Sequence, residues 1–127
     1  MSFNLNPNNT TALNLSSPGY PQQYPVNTDC TWTVTSDGEG TPRASILDFR
    51  VFRGFDFLFI KTMDADIMAV TGWEYPSSIT VNGTTLVFRF DSYYRDDLSL
   101  GYVGFLIEIS ISSQNGEQIL SRYKPLL

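Results

Sequence analysis

The sequence predicts an all-β protein built as an antiparallel β-sandwich. Three observations point there: apolar residues recur with a period of two, turn-forming residues separate the apolar runs, and no stretch carries a sustained helical stripe. Many short alternating runs bounded by turns suit a sandwich or barrel, because each strand then offers one face to a core and the other to water.

Taken in order, residues 1–14 are polar and Asn-rich and read as a partly flexible segment ahead of a domain over 15–112. Pro18-Gly19, Pro21 and Pro25 break the next stretch into turns. Cys30, Trp32 and Val34 alternate with Thr31, Thr33 and Thr35, as a half-buried strand should. After the turn at 38–42, Leu47, Phe49 and Val51 alternate with Ser45, Asp48 and Arg50. The unbroken apolar run 57–60 predicts a strand covered on both faces. Residues 64–70 admit one helical turn. Asn82-Gly83 lies between 79–81 and 84–90 and predicts a hairpin, since a type I′ turn needs positive φ at both central residues. Leu86, Phe88 and Phe90 point one way along the following strand, and Phe105, Ile107, Ile109 and Ile111 mark the last. Residues 113–127 read as a tail or linker. Trp32, Phe49, Phe57, Phe59, Phe88 and Phe105 are assigned to the core, and Cys30 is read as an inert, apolar thiol, with a bridge to a cysteine outside this sequence or to another molecule as the alternatives.

Composition narrows the function classes. A chain of 127 residues suits one domain, and 42% hydrophobic residues can fill its core. Eight basic residues stand against thirteen acidic ones, for a net charge of −5. That balance offers no cationic stripe for phosphates, so nucleic acid is not an expected partner, nor is an anionic membrane surface. Cationic partners or a divalent metal suit the sign. No apolar window reaches the ~18 residues of a membrane span. Histidine is absent and cysteine occurs once, which removes histidine-based catalysis, histidine zinc sites and any internal disulfide. Enzymatic action would have to fall to carboxylates such as Asp64, Asp66, Asp96 and Asp97, with little room for a substrate cleft. The sequence is therefore read as a non-enzyme. Glycosylation sequons begin at Asn8, Asn9, Asn14 and Asn82 and point to an extracellular setting, with Asn9, Asn14 and Asn82 as acceptors.

The motifs add a family resemblance. Ser17-Pro18-Gly19-Tyr20-Pro21, then Tyr24-Pro25-Val26-Asn27, then Cys30-Thr31-Trp32-Thr33-Val34 resemble the opening of the CUB domain family. Asp56-Phe57-Leu58-Phe59-Ile60, Gly72 with Pro76-Ser77-Ser78-Ile79, Phe88-Arg89-Phe90-Asp91 and Gly104-Phe105 continue it in the same order. The resemblance implies a jelly-roll-like sandwich acting as an extracellular binding module for a protein or a glycan. It also implies a Ca2+ site at one end, with Asp56 and Asp91 as ligands, Tyr20 beside them, and oxygens from Ser92 or its loop. A partner's basic side chain would be received there, bordered by Tyr20, Tyr93, Tyr94, Asp96 and Asp97.

The chain departs from the family pattern in two ways. Only one of the usual four cysteines, Cys30, is present, and the connection that carries the family's glutamate is short, with Asp48 the nearest acid. Asp56 and Asp91 thus have a second reading, as acceptors for loop backbone, and the 92–97 loop a second reading as a solvated connection. At the level of function the alternative is a structural β-sandwich subunit of a coat, fibre or adhesive protein that self-associates into homo-oligomers.

Overall fold

A computed structural model describes residues 2–5, 12–36, 40–62, 65–80, 84–93 and 101–112. Nine strands form two facing sheets: β1 (Ser2–Leu5), β2 (Ala12–Ser16), β3 (Asp29–Ser36), β4 (Thr41–Arg50), β5 (Phe57–Lys61), β6 (Asp66–Val70), β7 (Ser78–Thr80), β8 (Thr85–Asp91) and β9 (Gly104–Ser112). One sheet runs β1-β3-β8-β5-β6 and the other β2-β9-β4-β7. All pairings are antiparallel except β1 with β3, which is parallel. The all-β sandwich read from the sequence is the observed architecture. Its sheets take in Ser2–Leu5 and Ala12–Ser16, ahead of the boundary drawn at residue 15.

The core lies between the sheets and follows the period-two pattern. Trp32 and Val34 on β3, Leu58 and Ile60 on β5, and Leu86, Phe88 and Phe90 on β8 are buried from one side. Ala44, Ile46 and Phe49 on β4 and Phe105, Ile107, Ile109 and Ile111 on β9 meet them from the other. Phe105 is the hub of the aromatic contacts, edge-on to Trp32 at 5.7 Å and to Phe90 at 5.2 Å. Such edge-to-face pairs bring the positive ring edge onto a negative face and add to the burial of the rings. Cys30, opposite Phe90 on β3, is a free, half-buried thiol packed on this core.

Four sequence expectations are corrected. Leu47 is 51% exposed, not in the core, because a β-bulge falls between Ile46 and Asp48 on β4. Ile46 pairs with Ile107 and Asp48 with Leu106, so one extra residue shifts the parity and Phe49 returns to the interior. Phe57 and Phe59 are only half-buried on the outer face of β5, where they stack at 5.7 Å and Arg89 lies over Phe59. Residues 66–70 are strand β6, not a helical turn, because pairing with β5 overrides a weak local preference. The Asn82-Gly83 hairpin is also overturned at its flanks. β7 pairs with β4 while β8 pairs with β3 and β5, so the segment between them crosses from one sheet to the other. The turn residues themselves lie outside the described set.

Candidate functional site at the loop end

The connections β2–β3, β4–β5, β6–β7 and β8–β9 leave the sandwich at the same end, where Asp29 and Phe57 face Asp91 and Arg50 faces Gly104. Backbone bonds tie them together: Val51 N–H donates to Gly72 O, Tyr24 N–H to Tyr102 O, and Ser92 N–H to Thr28 O. Side chains tighten the tie. Ser92 Oγ accepts from Thr28 N–H and donates to Pro25 O, both at 2.9 Å. Thr71 Oγ1 donates to Asp56 O at 2.7 Å and accepts from Gly54 N–H at 2.9 Å.

Asp56 stands just ahead of β5 and is fully buried. Its Oδ2 accepts from the Tyr24 hydroxyl at 2.5 Å and its Oδ1 from Tyr93 N–H at 2.7 Å. The Tyr24 oxygen in turn accepts from Phe52 N–H at 2.9 Å, while its ring packs edge-on to Phe90 at 4.9 Å. A buried carboxylate needs such donors, since leaving water without them costs several kcal/mol. One side chain thereby joins the β2–β3, β4–β5 and β8–β9 connections.

The other residues singled out from sequence are placed differently. Tyr20 donates to Asp48 Oδ2 at 2.6 Å, not to Asp56. Its phenol titrates above the usual range, chiefly because of that hydrogen bond, with burial and the Asp48 charge adding to it. Asp91 ends β8 partly exposed, with Oδ2 3.8 Å from an Arg89 nitrogen. Arg89 makes its closer pair with Asp29, two bonds of 3.0 Å that hold the Asp29 carboxyl below its usual range. Tyr93 is 61% exposed beside Phe55, with ring centroids 6.5 Å apart. Asn14 is exposed on β2. Tyr94, Asp96, Asp97, Asn9 and Asn82 lie outside the described residues.

Among the described residues the large apolar side chains left exposed are Leu47, Phe55, Trp73, Tyr75 and Tyr93, and all but Leu47 sit on these loops. That concentration marks one end of the molecule as different from the rest of its surface. Trp73 and Tyr75 also line an open cleft of about 360 Å3 together with Asp48, Arg50 and Gly101. Sequence reasoning missed Trp73 and Tyr75. The available signal was two aromatic residues in a strand-breaking stretch between Gly72 and Pro76, where no core position could claim them.

A family model described as CUB domain matches residues 6–108. The chain belongs to the CUB domain family. It is 31% identical over 101 residues to human cubilin, covering 71% of this chain and 3% of cubilin. It is also 31% identical over 97 residues to embryonic protein UVS.2 of Xenopus laevis, covering 71% of this chain and 18% of that protein. The CUB chain thus spans a small fraction of either relative. Among solved structures, a MASP-1 CUB2 domain bound to Ca2+ superposes with a TM-score of 0.72 at 16% identity, over 86% of this chain and 96% of that one.

The calcium of that neighbour prompts a test of the donors here. Ca2+ takes six to eight oxygens, several of them carboxylate. In this CUB domain both Asp56 oxygens already accept hydrogen bonds, Asp48 is held by Tyr20, and Asp91 lies beside Arg89. No three acidic or cysteine side chains among the described residues stand together as a metal group. The described donors alone do not fit a calcium ion. No helix among them is long and apolar enough to cross a membrane.

Proposed function

We propose that this CUB domain is an extracellular, non-enzymatic module that binds a protein partner through the loop end. The observation that carries the reading is the group of exposed aromatic side chains, Phe55, Trp73, Tyr75 and Tyr93, on loops tied together by the Asp56 side chain and by the Thr71–Asp56 and Val51–Gly72 bonds. Tyrosine and tryptophan give large contact area at small entropic cost and dominate binding energy where they occur. A surface already ordered before contact loses less freedom on binding. The net charge of −5 favours a partner with a basic face.

The test is capture of proteins from an array of purified secreted and cell-surface ectodomains by the multimerised domain. Phe55→Ser with Tyr93→Ser should weaken a captured partner by tenfold or more, about 1.4 kcal/mol, while Asn14→Ala and Glu108→Ala leave it unchanged. Binding that follows the sheet-face variants instead would move the site away from the loops.

A second reading, self-association, is favoured by Phe57 and Phe59 stacked half-buried on an outer sheet face. Sedimentation equilibrium separates the two. A mass that grows with concentration and returns to monomer in Phe57→Ser with Phe59→Ser would support a structural subunit.

A further inference from the structure

The geometry points to the cleft between the end of β4 and the β6–β7 loop as a binding site for a neutral pyranose ring. This extends the loop-end reading to a second class of ligand and stands or falls separately from it.

The cleft owes its charged side to the bulge in β4. Its extra residue sets Asp48 on the outer face of β4, two positions before Arg50 and on the same side, with Phe49 turned into the core between them. A carboxylate and a guanidinium therefore share the cleft with the Trp73 and Tyr75 rings. Asp48 receives Tyr20 on Oδ2 alone among the described residues, and Arg50 makes no ion pair among them. Arg53 lies over the Trp73 ring, 5.9 Å from its centroid, and pairs with Glu74 at 3.6 Å, which restrains the indole while leaving it 52% exposed. Tyr75 leans on buried Phe49 with centroids 6.0 Å apart and is 38% exposed. Glycine at 101, with nothing within 4 Å of where a Cβ would stand, keeps one wall of the cleft low.

The size and the lining decide the ligand class. A volume of about 360 Å3 is at the small-molecule end of binding sites, which run from about 300 Å3 upward. One acceptor-only group and one donor-only group side by side match a ligand whose neighbouring hydroxyls each donate and accept. A basic side chain would suit Asp48 but meet Arg50, and an acid would suit Arg50 but meet Asp48 on an acidic domain. The C–H face of a pyranose carries the positive fringe that an exposed indole or phenol face attracts. A neutral sugar satisfies all four side chains together.

Saturation-transfer NMR on the intact chain tests this with methyl β-galactoside, methyl α-mannoside and methyl N-acetyl-β-glucosaminide as neutral probes. Methyl β-glucuronide and N-acetyl-lysine amide serve as the acidic and basic counterparts. At least one neutral glycoside should receive saturation, strongest at its ring C–H protons, with Kd in the millimolar range. Trp73→Ala and Asp48→Asn should each weaken it about tenfold, with amide spectra otherwise matching the parent. No transfer to any neutral glycoside, transfer indifferent to Trp73→Ala, or stronger binding of either charged probe would overturn the assignment. If the glycosides fail while protein capture still depends on Phe55 and Tyr93, only the saccharide site is lost. If they bind at the cleft while capture ignores Phe55 and Tyr93, the protein-binding reading is the one that falls.

Discussion

Gly104 opens β9 with φ of +93°, and a Cβ there would stand 1.8 Å from Ser17 Oγ. The same Ser17 oxygen accepts from Phe105 N–H at 3.0 Å, so serine and glycine form one close contact between the β2–β3 loop and the start of β9. Gly104→Ala should combine backbone strain with overpacking and cost about 2–4 kcal/mol in urea unfolding. Pairing it with Ser17→Gly should recover the overpacking part and leave the strain. Additive losses would mean that the two residues do not share the contact. Tyr24→Phe keeps the ring but takes a donor from buried Asp56 and the acceptor from Phe52 N–H. A loss of about 1–3 kcal/mol follows, the cost of taking hydrogen bonds from buried polar groups. Titration separates the surface pairs from this buried one. Tyr20 has a raised pKa, so its contribution is complete below the ordinary phenol range and fades as pH rises through the raised value. Asp29 has a lowered pKa, so its contribution exists above the ordinary carboxylate range and disappears as pH falls through the lowered value. Asp48→Asn should bring the Tyr20 ring-carbon titration down toward the ordinary phenol range. A midpoint that stays where it was would mean that Asp48 is not the cause.

The strands were legible wherever pairing was regular. β3 and β9 keep the alternation and β8 departs from it only at buried Val87, so Trp32, Val34, Phe88, Phe90, Phe105 and Ile107 fall inward as their spacing requires. What escaped the sequence was anything that depends on a partner strand. The bulge in β4 is defined by its register with β9 and shows no local mark beyond a misplaced Leu47. Asn82-Gly83 announces a reversal, yet a reversal can return to the same sheet or cross to the other, and only the pairing of β7 with β4 decides. Half of the candidate site was legible for a similar reason. Asp56 and Tyr20 lie in motifs, whereas Trp73 and Tyr75 matter only because β4 delivers Asp48 and Arg50 beside them. The bulge makes its own prediction. With Leu47 deleted, Ile46 can still meet Ile107 and Asp48 can meet Leu106, now as regular neighbours with every buried face preserved. The deletion should fold with stability within about 1 kcal/mol of the parent, whereas deleting Val87 from unbulged β8 should flip one half of that strand and cost more than about 4 kcal/mol. Comparable urea midpoints for the two deletions would refute the account of the bulge.

No disulfide joins the two sheets, since Cys30 is the sole cysteine, and the loop end is held by hydrogen bonds converging on Asp56. Tyr24, Phe52 and Tyr93 come to that carboxylate network from three separate connections. A cation placed against Asp56 would have to share oxygens with the donors already there, and the nearby acids Asp48 and Asp91 are engaged with Tyr20 and Arg89. The intact domain should therefore melt at the same temperature in about 2 mM Ca2+ and in excess chelator, whereas a site with Kd near 20 μM would add about 2.7 kcal/mol under those conditions. For a domain of this size that gain would raise the melting temperature by several degrees, well outside experimental scatter. Asp56→Asn separates the two ways of holding the loops. If hydrogen bonding holds them, the variant melts lower by the same amount with and without calcium, because the amide oxygen can accept from only one of the two donors and its NH2 must then face the other. A stabilisation by calcium that disappears in Asp56→Asn would instead show that the ion is held at Asp56, alongside the donors from Tyr24 and Tyr93.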